Sequence, residues 1–144
     1  VEIKFELDHF IPLACGWGAD SFLNVAYIPK SWNNSKLAQH PFEWADRYFT
    51  LPDAFGTRAQ FDAVAQEIAT RNNITVEYLR EVCDWAFANA RTVEEADMDA
   101  ELFGRVDAIG AYRAVQKTKH EMAALLVAET TEDTEWIMNL LQIA

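Results

Sequence analysis

Basic residues are scarce in this chain: Lys and Arg number 12 against 23 acids among 144 residues, a formal net charge of −11. That balance opposes unaided binding to nucleic acid, whose affinity comes largely from neutralised phosphates. Cysteine is nearly missing, and Cys15 and Cys83 lie far apart. A disulfide framework is therefore not expected, and neither a CxxC zinc pattern nor a redox pair exists. No apolar run approaches the ~18 residues of a membrane span, so no membrane partner is expected. No signal-peptide pattern opens the chain, and the cytoplasm is the expected compartment. Internal repeats and low-complexity tracts are absent as well.

Apolar material, by contrast, is ample. Hydrophobic residues make up 51 % of the chain, enough for the core of one domain, or of a small module joined to a second. The acidic excess is uneven. Residues 1–50 hold four basic and six acidic groups, a net of −2, and the other 94 residues hold eight and 17, a net of −9. The first third is thus spared most of the negative charge.

Composition shifts near the same place. Residues 1–40 carry Gly16, Gly18, Pro12 and Pro29 with two β-favouring runs, VEIKFEL and FLNVAYI. In the first run Val1, Ile3, Phe5 and Leu7 alternate with Glu2, Lys4 and Glu6, the pattern of a half-buried strand with its apolar face inward. From Thr57 onward helical punctuation takes over. Thr57-x-x-Gln60 and Thr92-x-x-Glu95 read as capping boxes, and Thr75 and Thr131 as N-caps. The spacing predicts helices over about 58–71, 75–90, 93–127 (broken near Gly104 or Gly110) and 131–142. The stretch PFEWADRYFTLPDAFG reads as a short helix and connector, with Trp44, Tyr48, Phe49 and Phe55 as core between the two parts. The expected class is α+β: a small module over 1–40, a connector over 41–56, and an acidic helical region over 57–144 that packs on the module or extends it.

The chemistry concentrates in the module. LDHFIP sets Asp8 beside His9 where a strand meets Pro12. On a regular strand the two would face opposite ways, so they share a site only if the strand stops there. A glycine loop follows, then Asn24 ahead of an apolar run. WNNSK comes last, with Asn33, Asn34 and Lys36 after Ser31, a natural N-cap for a helix starting at Trp32. Strand, glycine loop, strand and short helix, with Asp8-His9, Pro12, Gly16, Gly18, Asn24, Asn33 and Lys36 in that order, resemble the HNH nuclease motif, the ββα-metal or His-Me finger. The resemblance covers residues 5–40.

The resemblance implies a metal-dependent endonuclease acting on DNA, of the kind found in phages and mobile elements. His9 would be the general base that takes a proton from water, as an imidazole titrating near neutrality can. Asp8 and Asn33 would hold one Mg²⁺ or Mn²⁺, a hard cation that needs few protein oxygens. Asn24 would orient the His9 ring, and Lys36 would stand near the phosphate as a point charge. Asn34 is the one-residue alternative to Asn33. Zinc is not expected, because Pro29-Lys30-Ser31-Trp32 stands where other family members carry a thiol pair. Trp32 would brace the module by packing instead.

Blander roles compete at each position. Asn24 also suits a turn, the asparagines a first helical turn, and Lys36 a surface. His40 and His120 belong to no motif and read as structural or solvated. AQEIATRNNITVEYLREV has helix-turn-helix character with Asn73 at the turn, but its second helix is too acidic for the major groove, and an αα-hairpin explains it. The acidic run TVEEADMDAEL reads as a solvated helix face. The competing function is a non-enzymatic acidic interaction module (adaptor, inhibitor or DNA mimic) on the same scaffold. Under the nuclease reading, a protein partner or a homo-oligomer would supply DNA affinity.

Overall fold

The computed structural model describes residues 2–128 together with 139, 141 and 142. Strand β1 (Phe5–His9) pairs antiparallel with β2 (Val25–Pro29), Leu7 opposite Tyr27 and Asp8 opposite Ala26. Between them lies a single 3₁₀ turn, Leu13–Cys15. Helices α1 (Lys30–Lys36), α2 (Pro41–Tyr48), α3 (Arg58–Arg71), α4 (Val76–Ala88), α5 (Val93–Phe103) and α6 (Ala108–Ala128) follow. The class is mixed α+β. Residues 1–109 form one compact unit and residues 110–144 a second.

Local sequence chemistry accounts for most helix boundaries. Thr57 and Gln60 satisfy each other's backbone donors at the start of α3, and Thr92 and Glu95 do so at α5. Thr75 accepts from Tyr78 N–H at the start of α4. The break expected in the third helix falls at Gly104, where φ is +82°, a conformation that costs glycine nothing. Asn73, at φ +55°, makes the turn between α3 and α4, and together they form an αα-hairpin. The Thr131 cap and most of the helix expected over 131–142 lie outside the described residues.

Two expectations are corrected. Ser31 does not cap α1, which begins at Lys30 directly after β2, with Pro29 in the cap position and no capping side chain. Proline suits that junction because its fixed φ fits a helix entry and it has no N–H to leave unpaired. The apolar face of β1 does not point inward either: Ile3, Phe5 and Leu7 are 52, 58 and 49 % exposed, whereas Asp8 is buried. Helix α1 covers the Glu6–Asp8 face, and the apolar contribution to the core comes from Phe10 and Ile11 just past the strand and from Ile28. Val1 lies outside the described residues.

The core beneath this module is aromatic. Phe61 of α3 lies within 6.5 Å, centroid to centroid, of Phe10, Trp32, Phe42, Trp44 and Phe49. Trp32 also packs edge-on to Phe49 and donates its indole N–H to Phe55 O at 2.7 Å. Aromatic pairs at such separations add to the apolar burial they bring. The Phe55 ring, expected in the core, is 41 % exposed. Its backbone does the linking, accepting from Trp32 and donating to the Tyr48 hydroxyl at 2.9 Å. Buried His40 caps α2, its Nδ1 accepting from Glu43 N–H and its Nε2 lying 2.7 Å from Asp84; His120 is exposed on α6.

Asp46 ties three helices together, accepting from Arg58 and Arg80 at 2.7 Å each. Hydrogen bonds from the two guanidinium groups hold its carboxyl below the ordinary 3.8. A carboxyl depressed in the folded state stabilises above its unfolded value and loses that contribution as pH falls through the depressed one. Asp46→Asn is therefore expected to cost at most about 1 kcal/mol at neutral pH, the range for exposed pairs. The difference from the parent protein should narrow in urea unfolding as pH falls below the ordinary carboxylate value of 3.8 and through the depressed one.

Candidate active site

Asp8 and His9 are neighbours on β1 and face opposite sides of the sheet, yet both line one groove of about 180 Å³ with Pro12, Leu13, Ala14, Leu37 and Ala38. They do so because the strand ends at His9 and the chain turns away toward Pro12. The adjacency that looked incompatible with a regular strand is resolved at its last residue.

Helix α1 runs over the Asp8 face. Residues two apart on a strand and three apart on a helix each share a face, and the pairs formed are Glu6 with Asn33 and Asp8 with Lys36. Asn33 Nδ2 donates to Glu6 Oε2 at 2.8 Å. Lys36 Nζ lies 3.0 Å from Asp8 Oδ2 and donates to His9 O at 3.3 Å. Asn34 is exposed, so geometry places Asn33 rather than Asn34 toward the strand.

The Asp8–Lys36 pair is almost fully buried, with 10 % and 2 % of the respective side chains exposed. Burial holds the Asp8 carboxyl above its ordinary 3.8, and the Lys36 ammonium offsets only part of that rise. Lys36 is therefore neither a surface lysine nor a free charge held out to a phosphate. Its ammonium is committed to Asp8 and to the backbone of His9.

Asn24 is buried, and its amide is fully committed. Oδ1 accepts from Ile11 N–H, and Nδ2 donates to Ile11 O and Ala19 O, each at 2.9 Å. It does not touch the His9 ring, because those three bonds staple the glycine loop to the segment after His9. The ring meets Asp20 instead, with Nε2 2.9 Å from Oδ1. Gly18 permits the loop's approach: a Cβ there would lie 2.3 Å from Ile11 O. Gly16, at φ +82°, lies against Arg91, which donates to Gly16 O at 2.7 Å and stacks over Trp17 at 3.5 Å.

Two functional candidates escaped the sequence. Glu6 was signalled by the strand period, since it shares a face with Asp8. Asp20 carried no signal, because its position depends on the path of an irregular loop. Asp8 and Glu6 carry carboxylates, the first paired with Lys36, and the Asn33 amide, with its nitrogen turned to Glu6, keeps Oδ1 as an acceptor. No cluster of three or more His, Cys, Asp or Glu side chains placed to hold a metal occurs among the described residues.

Lys36→Met would strand a buried carboxylate, and removing one partner of a buried pair costs about 3–5 kcal/mol. Chemical denaturation should show a loss of that order. The Asp8→Asn/Lys36→Met double variant should recover most of it, because no unpaired charge remains.

No protein-family model matches this chain, and no curated protein or solved structure gives a significant match to it.

Proposed function

We propose that the chain is a metal-dependent endonuclease of the HNH type that hydrolyses phosphodiester bonds in DNA. The observation that carries this reading is convergence. Asp8, His9, Asn24, Asn33 and Lys36, selected by order and spacing in the sequence, lie on one β–β–α unit, where Lys36 bonds Asp8 and the backbone of His9, Asn33 meets Glu6 on the same strand face, and Asn24 grips the chain just past His9.

In this reading His9 takes a proton from a water whose oxygen attacks phosphorus. The bond to the leaving sugar oxygen breaks, and that oxygen takes up a proton from solvent. Asp8 and Asn33 would hold Mg²⁺ or Mn²⁺, which supplies positive charge for the phosphate's non-bridging and leaving oxygens. Lys36 keeps the Asp8 carboxylate in place and ionised. Asn24 ties the backbone just past His9 to the glycine loop.

Charge bears on the substrate. The net of −11 leaves little nonspecific attraction for DNA, so a partner protein or a second copy would supply affinity. A non-enzymatic interaction module is the second reading. It is favoured by α5, where Met98, Leu102 and Phe103 are 62, 71 and 80 % exposed on an acidic helix, the kind of surface that meets partners.

Supercoiled plasmid incubated at low salt with Mg²⁺ or Mn²⁺ should be nicked or linearised, with EDTA abolishing the reaction. His9→Ala should remove activity by at least two orders of magnitude, the usual reach of a general base. Cleavage that survives His9→Ala would refute the site. An intact protein inert in every metal would favour the interaction module.

A further inference from the structure

Neutral imidazole carries a proton on one nitrogen and a lone pair on the other, and the partner of the first decides which nitrogen can act as base. Asp20 Oδ1 lies 2.9 Å from His9 Nε2, and no other hydrogen bond reaches the ring among the described residues. An ionised carboxylate only accepts, so Nε2 is the donor and Nδ1 keeps the lone pair.

Asp20 is 80 % exposed, and an exposed acid tethered by nothing else would hold a ring poorly. Its backbone provides the constraint. Ala19 O, one residue earlier, accepts from Asn24, and the same amide grips Ile11 on both its N–H and its C=O, two residues beyond His9. Gly18 lets this stretch come so close that a Cβ would collide with Ile11 O at 2.3 Å. One buried amide thus ties the residue before Asp20 to the segment two residues beyond His9.

We infer that Asp20 is a positioning residue that holds His9 as the Nε2–H tautomer with Nδ1 as the base, and that Asn24 acts on the ring only through the loop bearing Asp20. The consequence for catalysis rests on the nuclease reading; the geometry does not.

The test is nitrogen-15 NMR of the His9 ring in the full chain without metal, at a pH of about 8, above the ordinary histidine value of about 6.5. The parent protein should show Nε2 protonated and Nδ1 bare. Asp20→Ala should mix the tautomers and lower plasmid cleavage about tenfold or more, as loss of an orienting partner does. Its metal concentration for half-maximal cleavage should stay unchanged. Asp20→Asn, whose amide oxygen still accepts, should keep the parent tautomer and most of the cleavage. A parent ring protonated on Nδ1, or an Asp20→Ala ring indistinguishable from the parent, would overturn the assignment. If no variant and no parent protein cleaves DNA, the nuclease reading fails, while the ring nitrogens still decide the role of Asp20.

Discussion

The buried pair of Asp8 and Lys36 is the constraint on which the module depends. Two charges have left water, and each is tolerated only because the other stands 3.0 Å away. An apolar contact would let α1 slide or turn over the strand at little cost. An ion pair with a further bond from Lys36 to His9 O fixes one azimuth of the helix, and that azimuth also brings Asn33 to Glu6. Such pairs add little net stability over apolar residues of the same size, and their attested use is to specify one arrangement among several.

A second layer of constraint surrounds the groove. Asn24, Gly18 and Gly16 let an irregular loop lie directly on the strand end, and Arg91 closes it from the far side. Arg91 N–H donates to Cys15 O at 3.0 Å, and Ala108 N–H to Trp17 O at 3.0 Å. The segments flanking the acidic helix α5 are thereby bonded into the loop that carries Asp20. Both cysteines are buried, and burial pushes their thiols up, so they serve as small apolar groups rather than nucleophiles.

Elements whose cause is local were legible in the sequence. Capping boxes satisfy donors three residues away, so the starts of α3 and α5 could be read without knowing what they pack against. The β–β–α order was legible because two β-favouring runs flank a glycine loop and a polar stretch follows Pro29. Features decided by tertiary contact were not. Alternation in VEIKFEL states that β1 has two unlike faces, but which one is covered depends on α1, whose charged partners outbid the apolar residues for that side. The start of α1 was misplaced because a serine resembles a cap more than a proline does. Asp20 stayed hidden because nothing local fixes a loop held by an amide four residues further on.

The direct passage from β2 into α1 at Pro29 makes the module a rigid bracket. With no loop to absorb a change in length, each added residue between Pro29 and Asn33 would rotate the rest of the helix by about 100°. Asn33 and Lys36 would then swing off the strand together. Side chains at these positions can be exchanged one at a time, but the number of residues in the bracket cannot.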